Sequence, residues 1–466
     1  MTRGPGGGWT PTRRAVLAAV ATGSIGSLSG CPLLAETDTD GVNQPDDMHR
    51  LSPSVREPAN RDVESAVPRE LREQYGTVTN VVEEGADHTG RDPVNDVVRS
   101  TVGDDTLLYF PKGEYHLSGE LRVGEFSSLA LVGDRALFRP PDGFTGLLFV
   151  LGDTSGASGL HFEGLDFDFT AASTGGRPLH AVVEDGLLVR DVTVRGRQDV
   201  DHDCLRVDVA AESGTGRVER VRLPDGSVTG HPNTGIYVGE QSRGELSFVD
   251  CTVVGFSDNG LYASQAQGPT HVRAGHYANN GIAGVRVSGA STVEGVRVTC
   301  DTDRSDLENM RGIRLREGTG ASVVDCVVEM RSVPVSDGAI TMAEWLESAT
   351  VEDTTVRLEA DNVPAVTAKP PRQGISGPAS VNIEGLTVRG SAANGATVQV
   401  LGRSECLLEN VCIHQQGRNR DGIEFANSRG NLLRDTVVDV TGDPLVLREA
   451  SAERREFRTA LRSTRC

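Results

Sequence analysis

A short pattern recurs through the second half of the chain: an acidic residue, Asn or Arg, then Gly, then alternating apolar residues. Its glycines are 25, 21, 31, 26, 57 and 27 residues apart. The interval of 57 corresponds to two turns, because the copy of the pattern near Ala365 has no glycine at this position. These glycines are Gly235, Gly260, Gly281, Gly312, Gly338, Gly395 and Gly422. A recurrence of this length indicates one structural unit that is repeated and stacked.

A second apolar column lies out of phase with the first, and each copy is led by Asp or Asn. Its leading residues are Asp191, Asp250, Asp325, Asp353, Asn410 and Asp435. Two short strands per repeat, with loops of variable length between them, are typical of a coil with two or three strands per turn. One turn cannot bury its inward face, whereas turns stacked about 4.8 Å apart build a continuous core. An antiparallel β-sandwich, the alternative, requires turn signals about every 8–12 residues. We therefore predict an all-β chain, a single-stranded right-handed parallel β-helix over residues 73–447.

The segment before these repeats combines strands with one short helix. Residues 78–82 and 107–110 alternate like strands, and Asp92 is placed to cap a helix that starts at Pro93. The apolar stripe of that helix is Val94, Val97, Val98 and Val102. The order of strand, Gly-Ala-Asp-x-x-Gly, helix, strand and Phe-Pro-x-Gly-x-Tyr resembles the opening of pectate-lyase-superfamily β-helices. In that superfamily the helix covers the open first turn, so the resemblance implies an N-terminal capping α-helix.

The first thirty residues have the pattern of an export signal. Arg13 and Arg14 precede an apolar run that ends at Leu28, and Leu-Ser-Gly stands before Cys31. This order resembles a twin-arginine signal followed by a lipobox. It predicts a signal peptide over 1–30 and a lipid on Cys31 as the only membrane contact. The protein would then be extracellular and lipid-anchored to the outer face of the cytoplasmic membrane. Residues 31–72 are predicted to form an acidic disordered tether, and the Arg-rich residues 448–466 a C-terminal cap or tail.

Charge narrows the choice of partners. Acidic residues outnumber basic ones 66 to 46, for a net charge of −20. Such a surface repels phosphate backbones, so nucleic-acid binding is disfavoured. Only Lys112 and Lys369 are lysines. A high carboxylate load with few lysines is typical of proteins that are soluble in concentrated salt, with an ordinary acidic surface as the alternative.

Eight cysteines in an exported chain suggest disulfides, but their positions favour buried thiols. Cys251 and Cys326 occupy the same place in two repeats, where a small buried side chain is needed. Cys31 is taken by the lipobox. Cys406 and Cys412 remain a candidate disulfide pair.

Equivalent positions of stacked turns line up along a β-helix, so a site draws its residues from several repeats. The densest polar cluster lies within Gln198–Leu205. The predicted catalytic residues are Asp201, His202, Asp203, Asp258 and Arg311. The predicted substrate-binding residues are His231, Asn233, Tyr237, Asn259, Tyr262, Asn280 and Arg314. A carboxyl with a raised pKa would act as general acid, an arginine would neutralise a substrate carboxylate, and the tyrosines would stack on sugar rings. Two rungs separate Asp203 from Asp258, roughly 9–10 Å, at the upper edge of the ~6.5–9.5 Å that accommodates a water in inverting glycosidases.

This column is similar to the active-site column of polygalacturonases. Asp203-Cys204 resembles their Asp-Asp motif, and Arg311-Gly-Ile-Arg314 resembles their Arg-Ile-Lys motif. More loosely, Asp201-His202-Asp203 is similar to the Asp-Pro-His-Asp of alginate epimerases. These resemblances imply a surface-anchored protein that cleaves or modifies a polysaccharide or cell-surface glycan, by lyase, glycoside hydrolase or epimerase chemistry.

Several alternatives stay open. The chain can be a non-catalytic surface β-helix that acts as a glycan binder, adhesin or structural protein, or a scaffold that binds proteins. The Asp cluster can instead hold Ca²⁺ through its carboxylate oxygens. Asp and Asn before Gly also favour left-handed turns, so turn geometry alone could explain part of the first column. The residues concerned are Asp258, Asn259, Asn279, Asn280, Asp337, Asn394 and Asp421. We expect a monomer.

Overall fold

The computed structural model describes residues 62–228, 230–307, 309–375 and 377–459. These residues form parallel sheets of 26 and 13 strands and three short helices, Val63–Ala66, Arg69–Arg72 and Asn95–Thr101. The predicted signal peptide, the lipidation site Cys31 and most of the tether lie outside the described residues. Within the described ranges, no helix is long and apolar enough to cross a membrane.

The 13-stranded sheet adds one strand per turn of the coil. Its strands are Leu121–Val123, Leu147–Leu151, Arg177–Val183, Leu205–Val209, Ile236–Tyr237, Asn259–Tyr262, Ala283–Val287, Arg311–Gly318, Ile340–Leu346, Val366–Ala368, Gly395–Leu401, Arg420–Ala426 and Leu445–Arg448.

The 26-stranded sheet supplies the other two faces of the coil. Its strands are Thr77–Asn80, Thr89–Pro93, Thr106–Phe110, Glu114–His116, Leu129–Arg139, Leu160–Asp168, Leu187–Arg190, Val194–Arg195, Thr215–Glu219, Arg222–Leu223, Glu245–Val249, Thr252–Val254, Thr270–Arg273, His276–Ala278, Thr292–Glu294, Arg297–Asp301, Ala321–Val324, Val327–Ser332, Ala349–Glu352, Thr355–Leu358, Val381–Glu384, Thr387–Gly390, Leu407–Glu409, Cys412–Gln415, Asn431–Asp439 and Ala452–Thr459.

A typical turn therefore contains three strands, each parallel to its counterpart in the next turn. The turn from Glu245 to Tyr262 shows the order: Glu245–Val249, a bend at Asp250, Thr252–Val254, a loop, then Asn259–Tyr262. Their counterparts one turn later pair with them in register. This arrangement confirms the predicted right-handed parallel β-helix, with about 13 turns.

The second repeated column marks the bend between the two faces of the 26-stranded sheet. All six of its leading residues have positive φ, from 44° at Asp353 to 55° at Asp191. Asp and Asn tolerate this left-handed conformation because their short side chains bond locally. In the first column, only Asn279 and Asn394 among the residues that turn geometry might explain have positive φ in the described ranges. Turn geometry therefore accounts mainly for the second column.

At five glycines of the first column, a Cβ would lie within 3.0 Å of a backbone carbonyl oxygen, whereas Gly338 and Gly395 have positive φ; the five are Gly235, Gly260, Gly281, Gly312 and Gly422. A Cβ on Gly235 would lie 2.8 Å from the carbonyl oxygen of Gly260, and a Cβ on Gly260 would lie 2.6 Å from that of Gly284. Inward residues on these strands, such as Leu205, Ile236 and Leu261, form part of one continuous apolar core. The repeat period thus reports close backbone stacking as well as core packing.

The predicted capping helix is present and covers the first strand of the 13-stranded sheet. Val94 and Val98 are buried in the core, and Asn95 bonds to Ser118 and Gly119 before strand Leu121–Val123. The predicted cap at Asp92 is wrong, because Asp92 and Pro93 belong to strand Thr89–Pro93 and the N-cap position is Val94. The ring of a proline clashes with the residue before it when that residue is helical, so Asp92 adopts an extended conformation.

Ordered structure continues beyond both ends of the segment predicted to form the β-helix. Helices Val63–Ala66 and Arg69–Arg72 lie inside the segment assigned to the tether, and Leu71 packs near Leu107 and Tyr109 on the outer surface of the coil. At the other end, Ala452–Thr459 pairs in parallel with Asn431–Asp439 as a further rung. The chain therefore continues the coil beyond residue 447.

The cysteines follow the predicted pattern except for one pair. Five are buried free thiols, namely Cys204, Cys251, Cys300, Cys326 and Cys406. The candidate disulfide between Cys406 and Cys412 is wrong, since Cys406 is free whereas Cys412 is disulfide-bonded elsewhere. Cys406 lies inside the coil, where its Sγ accepts a hydrogen bond from the backbone N–H of Val381 at 3.4 Å.

Candidate functional site

Predicted site residues from several turns lie at one edge of the 13-stranded sheet. Asp203 stands two residues before Leu205–Val209, Asp258 directly precedes Asn259–Tyr262, and Arg311 begins Arg311–Gly318. Parallel strands of a stacked coil all start at the same edge. The register therefore brings together residues that are 53 or more positions apart in the chain.

Asp203 is the best candidate for a proton donor at this edge. Arg177, which begins the strand of the preceding turn, donates from Nη2 to Asp203 Oδ2 at 3.2 Å and from Nε to the Asp203 carbonyl at 3.1 Å. Burial raises the pKa of Asp203, Arg177 lowers it, and the nearby charge of Asp258 raises it again, so that the net shift is upward. Its side chain keeps 23% of its surface exposed. Asp203 thus combines access to a ligand with a proton retained to higher pH than usual.

Asp258 provides the second carboxylate of this edge. Asn259 Nδ2 donates to Asp258 Oδ1 at 2.6 Å, and Asn259 itself is fully buried. Asn259 therefore orients Asp258 from below and does not reach the surface as a substrate-binding residue. The electrostatic effect of Asp258 on both Asp203 and Arg286 places it beside the outer face of the sheet.

Arg311 is held by a carboxylate that sequence analysis assigned to a turn. Its Nε donates to Asp337 Oδ2 at 3.0 Å, and Lys369 Nζ lies 2.6 Å from the same oxygen. Asp337, Lys369 and Thr367 also line a neighbouring pocket of about 250 Å³ on this sheet. Arg311 is buried and ion-paired, which makes it a positioning group and not a free charge for a substrate.

The run from Asp201 to Asp203 does not act as one cluster. Asp201 Oδ1 lies 2.7 Å from Nδ1 of His231, whose Nε2 faces Asp199 at 3.3 Å. His202 Nε2 lies 3.2 Å from the carbonyl oxygen of Thr145 on another loop. Asp203 alone turns to the sheet edge. Asp201, His202 and His231 therefore form loop contacts beside the site, and no catalytic trio results.

Two other predicted substrate-binding residues are structural. Asn233 is fully buried and its Nδ2 donates to the carbonyl oxygens of Val200 and His202, which holds the loop before Asp203. Asn280 is 1% exposed; its Nδ2 donates to Val253 and its Oδ1 accepts from the Phe256 N–H, at 3.0 Å in both cases. The Asn280 amide is fully used by backbone groups, whereas Asn233 Oδ1 has no hydrogen-bond partner among the described residues but is buried away from any ligand.

The outer face of the sheet carries a continuous column of cationic and aromatic side chains. In register from turn to turn, the column is Arg206, Tyr237, Tyr262, Arg286 and Arg314. The two tyrosine rings stack with centroids 5.3 Å apart and planes at 14°. Cζ of Arg206 lies 5.5 Å from the centre of the Tyr237 ring, and Cζ of Arg286 lies 4.5 Å from that of Tyr262. This column presents aromatic surface bordered by guanidinium groups.

Sequence analysis missed three residues of this site: Arg177, Arg206 and Asp337. Arg177 stands 26 residues before Asp203, which is close to one repeat, so the period would have placed the two side by side. Arg206 directly follows inward-facing Leu205 and pairs with Tyr237, so alternation would have put it outside.

The predicted Ca²⁺ site finds no support in the arrangement of ligands. Among the described residues, no group of three or more His, Cys, Asp or Glu side chains is arranged to hold a metal ion. The carboxylates of Asp201, Asp203 and Asp258 bond instead to His231, Arg177 and Asn259.

The strand pairing and this column define the class: a right-handed parallel β-helix with a candidate ligand-binding face on its 13-stranded sheet. No family model and no curated protein matches the chain. Among solved structures, the chain is similar to the A-module of mannuronan C-5 epimerase AlgE4 of Azotobacter vinelandii, with 13% identity, coverage of 80% of this chain and 99% of that one, and a TM-score of 0.47.

Two further structures show the same kind of likeness. One is PfbA, a surface protein and adhesin of Streptococcus pneumoniae, with 13% identity, coverage of 80% and 100%, and a TM-score of 0.45. The other is DFA-IIIase from Arthrobacter chlorophenolicus A6 in complex with GF2, with 12% identity, coverage of 77% and 94%, and a TM-score of 0.43. The fold class rests on the strand pairing itself, and none of these likenesses assigns an activity.

Proposed function

We propose that this protein binds a polysaccharide along the outer face of the 13-stranded sheet and cleaves or modifies it, with Asp203 as general acid. The observation that carries the proposal is the raised pKa of Asp203, caused by burial and by Asp258, beside the stacked pair Tyr237 and Tyr262. Titratable groups with such shifts, placed next to a ligand-binding surface, are typical of catalytic sites.

The shape of the face suits an extended polymer. Successive side chains of the column repeat at the spacing of the strands, about 4.8 Å, which is close to the length of one pyranose unit. A glycan that runs along the coil axis would therefore meet one rung per sugar. Tyr237 and Tyr262 offer the outer edges of their rings to the sugars, because Arg206 and Arg286 cover the two ends of the stack.

The two carboxylates have different parts in the proposed hydrolytic reaction. Asp203 gives its proton to the glycosidic oxygen as the bond from that oxygen to the sugar carbon breaks. Asp258 takes a proton from the water that attacks the carbon. In an elimination, Asp258 would take the proton from the ring carbon next to the substrate carboxylate, and Asp203 would protonate the leaving oxygen as its bond to the sugar breaks.

A non-catalytic glycan-binding role is the second candidate. The bond between Arg177 and Asp203, at 3.2 Å, is also what a structural ion pair requires. In that case the column would bind the glycan and Asp203 would only fix the loop before its strand.

The test compares wild type with Asp203→Asn on a panel of polysaccharides in the salt that keeps the protein folded. New reducing ends, unsaturated-uronate absorbance and the proton NMR signals of epimerised sugars report the three reaction types. We expect turnover to fall by a factor of about 10² to 10⁴, with glycan affinity retained. The control is Asp191→Asn, a turn residue with φ of 55° where Asn is tolerated.

Two results would contradict the catalytic role. One is full activity of Asp203→Asn. The other is binding of a glycan by wild type with no change in the glycan by any of the three readouts, which would favour the binding role.

We also propose that the protein works outside the cell, tethered by a lipid on Cys31. The support is the Arg13-Arg14 pair and the lipobox-like residues before Cys31. Cys31→Ser should release the protein from the membrane fraction into the medium, whereas Cys326→Ser, a buried thiol of the coil, should leave it membrane-bound. Equal membrane retention of Cys31→Ser and wild type would overturn the anchor.

A further inference from the structure

Arg286 and Arg314 lie side by side on the outer face of the 13-stranded sheet, on adjacent rungs. Arg286 is only 8% exposed, and its guanidinium lies over the ring of Tyr262 with Cζ 4.5 Å from the ring centre. Its buried Nε has no hydrogen-bond partner within the described part of the chain. Neither side chain forms an ion pair with any described carboxylate.

Other buried arginines in this chain are satisfied. Arg177 is paired with Asp203, and Arg311 with Asp337. Arg403, fully buried, donates to the carbonyl oxygens of Lys369, Leu346, Ala379 and Ala343 at 2.8–3.0 Å. A chain with a net charge of −20 has carboxylates to spare. Arg286 and Arg314 therefore stand out as buried or half-buried cations that form no ion pair within the described part of the chain.

The charges around this pair do not cancel. Arg286 faces Arg316, Arg311 and Asp258, and Arg314 faces Arg311, Arg316 and Asp337. Asp337 is already shared between Arg311 and Lys369. Among the charges that act most strongly on Arg286 and Arg314, Arg311 and Arg316 are cations, and Asp258 and Asp337 are carboxylates. Burial of unpaired charge is costly.

The pKa values of the two guanidinium groups reflect this crowding. Burial, together with the neighbouring charges of Arg311 and Arg286, lowers the pKa of Arg314 to about 10. Burial likewise lowers the pKa of Arg286. Both groups remain cationic at neutral pH, and a bound anion would relieve their repulsion.

We infer that Arg286 and Arg314 form a subsite for an anionic substituent of the glycan, a carboxylate or a sulfate ester, while the sugar that carries it lies against the outer edge of the Tyr262 ring. The inference rests on the proposed function and specifies the class of substrate. Planar guanidinium groups bind both anions through paired hydrogen bonds, which a neutral hydroxyl cannot replace. Arg286 lies three rungs from Arg206, whose Nε is 2.7 Å from Oδ2 of Asp208. Because Asp208 neutralises Arg206, we expect an anionic group to bind at the Arg286 end of the column.

The test uses polymers that differ only in charge. Polygalacturonate is compared with the same polymer after reduction of its carboxyl groups, and dextran sulfate is compared with dextran. Wild type should bind at least one charged polymer about tenfold or more tightly than its neutral partner, which corresponds to about 1.4 kcal/mol or more. The two pairs separate a carboxylate ligand from a sulfate ligand.

The double variant Arg286→Gln/Arg314→Gln should lose this preference and keep its affinity for the neutral polymer. The matched control is Arg273→Gln, which removes an exposed cation on the other sheet and should keep the preference. Thermal unfolding without ligand checks the fold. The double variant should be at least as stable as wild type, because it removes two cations that repel each other.

The outcomes separate this inference from the proposed function. Equal affinity of wild type for charged and neutral polymers, or a preference that survives in the double variant, would overturn the subsite and leave glycan binding intact. If wild type binds no glycan, the proposed function fails and inorganic sulfate decides the subsite. Sulfate binding by wild type but not by the double variant would support the subsite, and no sulfate binding would overturn it.

Discussion

Tyr237 and Tyr262 stack on adjacent rungs, with ring centroids 5.3 Å apart and planes at 14°. The stack exists because the strand register Ile236↔Leu261 puts the next residue of each strand on the outer face. Arg206 and Arg286 close its two ends. Removal of one ring should therefore affect ligand binding more than folding.

Tyr262→Leu should weaken glycan binding by about 1–2 kcal/mol, because it removes the aromatic ring proposed to contact the sugar. Isothermal titration calorimetry with a bound polysaccharide measures the change. Tyr262→Phe is the matched control, since it keeps the ring, and it should bind within a factor of about two of wild type. Equal losses of glycan affinity in Tyr262→Leu and Tyr262→Phe would show that the aromatic ring is not what the glycan contacts.

The residual pH–rate profile of Asp258→Asn should shift to lower pH on its alkaline limb. A general acid must be protonated, so activity falls as pH rises through its pKa. Burial and the Asp258 charge both raise the pKa of Asp203, and loss of that charge lowers it. Arg177→Gln removes an opposing cation and should move the limb the other way.

Exposed Asp435 at the far end of the coil supplies the control for this profile. Asp435→Asn should leave both limbs in place. Shifts of the same sign in Asp258→Asn and Arg177→Gln would rule out Asp203 as the group that sets the alkaline limb.

Glu329→Gln should destabilise the coil by about 3 kcal/mol, in the lower part of the range for a broken buried ion pair. Glu329 is fully buried and accepts from Arg297, Arg331 and Arg357 at 3.0, 3.0 and 2.6 Å. The neutral amide cannot balance three cations. Urea unfolding followed by circular dichroism measures the loss. Glu294→Gln, which removes an exposed partner of Arg273, should cost less than about 1 kcal/mol, and equal losses would count against the buried cluster.

Asp337→Asn should make the protein less stable at neutral pH by about 1 kcal/mol, since the site is half-exposed and screened. Burial acts to raise the pKa of Asp337, but hydrogen bonds from Lys369 and Arg311 lower it to about 2. A depressed pKa in the folded state contributes stability above the ordinary carboxyl pKa of about 4. That contribution is lost as pH falls through the folded value.

The difference between Asp337→Asn and wild type should therefore shrink between about pH 4 and the folded pKa of about 2. Unfolding free energies measured at a series of pH values test this window, with Asp435→Asn as control. A difference that stays constant down to pH 2 would mean that the ion pair is not its source.

Much of the fold was predictable from local pattern. The first column required glycine because backbones of neighbouring rungs nearly touch at Gly235 and Gly260. The second column required Asp or Asn because its bend is left-handed, as at Asp250 and Asp325. Both constraints act on single residues and recur with each turn, so the sequence displays them directly.

Placement of the outer column was also within reach of the sequence. Side chains alternate along a strand, so Tyr237 and Tyr262, which follow the inward residues Ile236 and Leu261, lie on the outer face. Strands that occupy the same place in successive turns stack in register. The sequence alone thus determined a stacked parallel coil, its cationic and aromatic face, and the turn at which Asp203 enters the sheet.

Only the tertiary structure decided which polar groups meet. Asp201, His202 and Asp203 are consecutive, yet they contact His231, Thr145 and Arg177. Loops between strands vary in length from turn to turn, so periodicity does not fix where a loop side chain points. How deeply a side chain is buried, and which charges surround it, depends on residues from several neighbouring turns. The raised pKa of Asp203 and the unpaired Arg286 therefore emerge only once the turns are stacked.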